Sequence, residues 1–209
     1  NTLHLVGADV SASVANNSLL LYDLIFGVAK LMNSTATEAV TGVPTRYQNQ
    51  VAGNPDYIGG NFLFVQVGGT ALAATAHNWT VCLYTDQDAA SSTLPSLTGN
   101  ASAIVDRLDH PVQQWFAPLA SGDVGIKALT QMQASALVAT GVIWFMIGHP
   151  LGIMSFPVTS SMFPFDWLTN RNQAPYIYDN ACLAFLELTK PSTALSAYTG
   201  VIHMTAAAS

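Results

Sequence analysis

The sequence predicts a mainly β protein, an antiparallel β-sandwich of jelly-roll type carrying one main N-terminal helix. Three observations support that expectation. Short runs rich in Val, Ile, Phe, Tyr and Trp recur along the chain, set apart by Gly, Pro, Asn and Asp. No strand-then-helix alternation repeats along the chain, which disfavours the parallel α/β architectures. An apolar content of 50% supplies a core for a single domain over residues 1–209 and excludes intrinsic disorder. Among antiparallel sandwiches of this length, the jelly roll is the common one that also tiles closed shells, with OB-like and Greek-key arrangements as alternatives.

The elements follow in chain order. Asn16, Asn17 and Ser18 offer capping side chains ahead of Leu19–Met32, where Leu20, Leu24, Val28 and Leu31 recur at helical spacing. The spacing predicts a helix there, packed by this stripe against Val65, Val81, Leu83 and Phe185. Residues 35–57 have little periodicity and contain Pro44 and Pro55, which reads as an extended arm or long loop. Asn61–Val67, between two Gly-Gly pairs, reads as a strand, as do Asn78–Thr85, Ala103–Leu108, Ala181–Leu188 and Tyr198–Thr205. Asp123–Met132 suits a short helix capped by Asp123. Ala136–Val158 is long and apolar enough to raise a membrane span, but His149, Pro150 and Gly152 interrupt it. The better reading is a buried hairpin from Leu137–Ile147 through Gly148-His149-Pro150 into Gly152–Val158, with no span.

Motifs for chemistry are sparse. His4, His77, His110, His149 and His203 lack the spacing of a helix-borne zinc pair, and HExxH and CxxC are missing. A metal site built in space from His77, His110 and Asp109 is the sharpest alternative to histidines that serve turns and core. Asp86 and Asp88 have the alternate carboxylates of a calcium loop without its Gly and distal Glu. Asp106 and Asp109 are spaced for acid–base work if they share one turn, although an Asp-Arg-Leu-Asp run more simply braces its own loop. There is no GxSxG elbow and no phosphate-cradling glycine loop. Cys82 and Cys182 read as buried free thiols inside apolar runs, with a disulfide between them as the sharper alternative. Asn16, Asn33, Asn78 and Asn100 begin Asn-x-Ser/Thr sequons, which matter only in a secretory setting. The chain opens on Asn1 rather than Met, which admits a processed leader, and the residues from Asn1 onward hold no basic region followed by an apolar core, so no signal peptide is in view. These readings predict no catalytic, cofactor or metal residues.

Charge is the outstanding compositional feature. Only 9% of the residues are Asp, Glu, Lys or Arg, and 38 consecutive residues between Lys127 and Asp166 carry none. Ordinary soluble domains hold roughly 25%. A net charge of −6 with six scattered basic residues argues against direct contact with nucleic acid. A weakly charged surface suits a protein covered by copies of itself. The aromatics Phe156, Phe163, Phe165 and Trp167, threaded with prolines, are the expected anchors of self-association.

The Ala-, Thr-, Ser-, Gly- and Val-rich, charge-poor texture, as in TGVPTRYQNQVAGNPDYIGGNFLFVQVGGTALAATAHNWTV, resembles bacteriophage virion structural proteins of the coat, cement or decoration type. That resemblance implies a non-enzymatic homo-oligomer located in the virion, whose partners are copies of itself and other virion proteins. The chain is short for the large tailed-phage coat fold and lacks its spine helix, so the resemblance implies a jelly roll for a shell subunit and a sandwich trimer for a decoration. Two other classes stand beside it: a β-sandwich carbohydrate-binding module and a hydrolase on a sandwich fold.

Overall fold

The protein is mainly β with antiparallel sheets, as described by a computed structural model at residues 3–48, 60–110, 115–171, 174–188 and 196–206. The strands are β1 (Leu3–Ala12), β2 (Asn17–Leu31), β3 (Glu38–Ala39), β4 (Phe62–Gly68), β5 (Asn78–Asp86), β6 (Ser91–Thr93), β7 (Leu97–Thr98), β8 (Ile126–Ala134), β9 (Val142–Phe156) and β10 (Phe163–Asp166). Helix α1 (Trp167–Arg171) follows, then β11 (Tyr176–Ile177), β12 (Leu183–Leu188) and β13 (Tyr198–Ala206). Where the sequence reading has one domain over 1–209, contacts gather into two compact units. One unit comprises Asn1–Asp23 and Pro150–Ser209, the other Leu24–His149, so β2 and β9 contribute residues to both.

In the first unit β1 is central. β13 pairs along all of it, from Leu3↔Ala206 to Ala12↔Tyr198. The opposite edge of β1 is left to β11 at Leu3 and His4, and to β10 at Gly7 to Val10. β12 pairs with the start of β2, from Leu183↔Asp23 to Leu188↔Ser18. Leu5, Val10, Leu20, Leu21, Phe156 and Trp167 are buried here. The short helix α1 begins where Asp166 Oδ1 accepts from the Leu168 and Thr169 amides. Those bonds and the Thr169 hydroxyl hold the Asp166 carboxyl below its ordinary range.

In the second unit β4 pairs with β9 from Phe62↔Gly148 to Gly68↔Val142. Phe62 to Val65 are buried in succession, so both faces of β4 are covered. A second sheet runs β3-β8-β5-β6, with β7 also on β5. The Trp79 ring meets Phe145 edge-on at 4.6 Å, which brings β5 against β9.

Several expectations are corrected. The main N-terminal helix expected at Leu19–Met32 is strand β2. Leu20, Leu24 and Val28 are four apart, a spacing that places residues on one side of a strand as well as of a helix. The apolar run buries both sides of its first half, Leu19 to Asp23, and Tyr22, Ile25, Phe26 and Val28 favour β structure. Of the expected stripe only Leu20 is fully buried; Leu24 and Val28 are half-buried and Leu31 is 58% exposed. Among the expected facing residues Val65 is buried, Val81 and Leu83 are half-buried, and Phe185 is exposed.

The short helix at Asp123–Met132 is β8, with a misleading period of three. Its register with β5 runs Gln133↔Val81, Gln131↔Leu83, Leu129↔Tyr84, Ala128↔Thr85 and Ile126↔Asp86, so Thr130 and Lys127 are extra, bulged residues. Those bulges set the buried residues Ile126, Leu129 and Met132 three apart. The hairpin at Gly148-His149-Pro150 is continuous strand β9. Pro150 lies beyond the last pair with β4, Phe62↔Gly148, so its missing N–H breaks no bond on that edge. Ala103–Leu108 is a chain of turns holding one bridge, Gln66↔Leu108. Strand β1 has no counterpart in the sequence reading. Of the expected arm, residues 35–48 pack on their own unit through β3, Tyr47 and Gln48, and residues 49–57 lie outside the described residues.

Candidate functional site

The densest polar cluster lies inside the second unit, where the 99–110 turns close over the end of β5. Asp109 is fully buried and accepts three hydrogen bonds. His77 Nε2 lies 2.9 Å and Trp79 Nε1 3.0 Å from its Oδ2, and the Asn100 amide donates to Oδ1 at 2.7 Å. His77 Nδ1 faces the Thr75 carbonyl at 3.2 Å. Both neighbours of the ring are acceptors, so both nitrogens donate and His77 is an imidazolium paired with the Asp109 carboxylate. Burial opposes that charge, and the hydrogen bond and charge of Asp109, with the Thr75 carbonyl, outweigh it and hold His77 above its ordinary value.

His110 plays the opposite part. Its Nε2 accepts the Val65 amide at 2.8 Å and is therefore unprotonated. Asn100 donates through Nδ2 to the Leu108 carbonyl at 3.2 Å and to the His110 carbonyl. The Asp109 amide in turn donates to Val65 O at 2.7 Å. The cluster thus seats the 100–110 turns along the open edge of β4. Gly99 is needed there, because a Cβ would fall 2.1 Å from His77 Nε2.

Of the sequence candidates, the structure brings His77 and Asp109 together but turns His110 to the Val65 amide. Among the described residues no group of three His, Cys, Asp or Glu converges as a metal site. Asp106 is exposed and Asp109 buried, so the two acids do not share a face. Asp86 Oδ1 accepts the amides of Asp88 and Ala90, at 2.8 and 2.9 Å, and so folds the turn in which Ala89 has φ 64°. Trp79 and Asn100 are the members the sequence did not single out for this cluster. They lie 30 and 9 positions from Asp109, and the sequon that begins at Asn100 does not point to this contact.

Other buried polar groups are paired within their own units. His149 Nδ1 bonds Asn61 Oδ1 at 2.8 Å, and its ring stacks on Tyr47 at 3.9 Å. Lys30, buried on β2, donates to Glu38 Oε1 and to the Ala36 carbonyl. Asp23 accepts the Cys182 amide at 2.8 Å. Tyr84 donates to Asp123 at 2.5 Å and accepts the Ala120 amide at 2.8 Å, and burial pushes its phenol up to about 12. Both cysteines are free, Cys82 buried and Cys182 exposed.

The four expected interface aromatics separate. Phe156 and Trp167 are 0% exposed, filling the core of the first unit; Trp167 Nε1 donates to Leu151 O at 2.5 Å. Phe163 and Phe165 are half-buried, packed edge-on against Phe156 at 5.7 Å and Trp167 at 4.7 Å. A surface recess of about 260 Å³ between Leu31, Thr70 and Ala139–Val142 carries no ionisable side chain. No helix of the described residues is long and apolar enough to cross a membrane. No family model, curated protein or solved structure matches the chain.

Proposed function

We propose that this chain is a structural subunit of a bacteriophage-type virion, a non-enzymatic sandwich or jelly-roll protein that assembles with its own copies as coat or as cement. One observation carries the reading. Of the eighteen charged side chains in the sequence, Asp23, Lys30, Asp86 and Asp109 are buried, which leaves at most fourteen for the surface. Among the described residues fourteen large hydrophobic side chains are exposed, Leu31 at 58% and Val201 at 57% among them, in both units. A surface with as many large apolar groups as charges favours coverage by neighbours over life as a free monomer.

Sedimentation velocity at micromolar concentration, with electron micrographs of the same sample, tests the reading. A closed oligomer or particle supports it. A stable monomer overturns it.

A further inference from the structure

The sheets treat their edges unequally. β3, β7 and β11 are two residues long, β6 is three, and β10 is four with Pro164 inside it. The outer edge of β4 is occupied by backbone bonds with Arg107, Asp106, Asp109 and Ala117. β12 is six residues long and carries Glu187, whose carboxylate holds Asn17 and the Ser196 amide. Short length, proline, charge and covering loops are the usual means of blunting a sheet edge.

Among the described residues β13 has none of these devices. It is nine residues long, Tyr-Thr-Gly-Val-Ile-His-Met-Thr-Ala, without proline, Lys, Arg, Asp or Glu. Among the described residues it pairs with β1 alone. Both of its faces are open, with Val201 57% exposed on one and Met204 48% exposed on the other. An unblunted edge of this length presents a row of N–H and C=O groups that only another extended strand satisfies in register.

We infer that β13 is the edge through which this chain pairs with a second copy of itself, β13 against β13 in antiparallel register. The inference rests on the assembly reading above and names its contact. Two properties favour a second copy as the occupant. Antiparallel pairing about a two-fold axis is self-complementary, each strand offering the other the same donors and acceptors. Charge is also compatible: the strand carries no Asp, Glu, Lys or Arg, and His203 is already held by Asp9 on β1 at 2.8 Å, so two copies meet without opposed like charges. The product is one sheet continuous across the two chains.

The test uses the full chain. Val201→Lys puts a charge on the exposed edge, and sedimentation velocity should show the dissociation constant rise about tenfold or more while circular dichroism is unchanged. In parallel, single cysteines at Thr199, Val201 and His203 in a Cys182→Ser background should give oxidised dimers at the position nearest the two-fold axis; this decides the matter if Val201→Lys does not fold. Unaltered assembly of Val201→Lys with no crosslink at any β13 position overturns the β13 contact and leaves the assembly reading standing. A wild-type chain that stays monomeric overturns both, and is recognised because the failure is in the unmodified protein.

Discussion

Replacing Asp109 by Asn tests the buried cluster while keeping its shape. The wild-type carboxylate serves three donors, with Oδ2 facing His77 and Trp79 and Oδ1 facing Asn100. An amide has one acceptor oxygen, so one side must lose its bonds. If the oxygen stays with His77 and Trp79, the Asn100 amide meets an NH₂ group; if it turns, His77 and Trp79 do. Each buried donor left unsatisfied costs about 1–3 kcal/mol, and removing one charge of a buried pair about 3–5 kcal/mol, so we expect a loss of about 2–5 kcal/mol.

The pH dependence is more diagnostic. In the wild type the folded-state pKa of His77 is raised, so its contribution is fully present below the unfolded value of about 6.5 and is lost as pH rises through the folded pKa. Without Asp109 only the Thr75 carbonyl still favours the protonated ring, against the larger opposing effect of burial, which makes acid destabilising. Urea unfolding followed by circular dichroism, at a pH below 6 and again above 8, should show the variant's deficit larger at the acid pH. Groups unaffected by the substitution titrate alike in both proteins and cancel in the difference. A deficit under about 0.5 kcal/mol, or one that does not grow toward acid, would refute the ion-pair assignment.

Two further outcomes are expected. Trp167→Ala empties a fully buried site and strands the Leu151 carbonyl, a cost of about 3–5 kcal/mol, whereas Phe163→Ala, at a half-buried ring, costs about 1–2 kcal/mol; thermal unfolding of the pair checks the order, and equal losses would return Trp167 to the surface. Ellman titration should find one fast thiol in the native protein and two after denaturation, because Cys182 is exposed while burial shields Cys82 and pushes its thiol up to about 12.

The sequence made β4, β5, β12 and β13 legible because each is a short apolar run closed by turn residues. It misdirected at β2 and β8 for different reasons. In β2 an apolar run with buried residues on both faces offers a spacing of four that fits a helix as well as a strand. In β8 the period is present but is a product of Thr130 and Lys127 bulging outward, a property of the pairing with β5 rather than of the residues. The cluster was half-legible. His77 and Asp109 stood out as residue types, but Trp79 and Asn100 join them only after distant segments are brought together. The aromatic run divided for a similar reason: composition does not distinguish Trp167, sealed against Leu151, from the half-buried Phe163 four positions earlier.

The bulged pairing of β5 and β8 also bears on how this chain can change length through evolution. Deleting one residue from a regular strand turns every later side chain inside out. At Thr80 the result is different. The register passes from Trp79↔Ala134 to Val81↔Gln133, so exposed Thr80 is the surplus residue, with Trp79 and Cys82 both buried on either side of it. Losing Thr80 leaves those two side chains on the same face, now two positions apart in an unbroken ladder. Thr130 and Lys127 are less expendable, since their carbonyls receive the Val40 amide and the Gln48 side chain. Drift in the length of this sheet therefore has a preferred address at position 80.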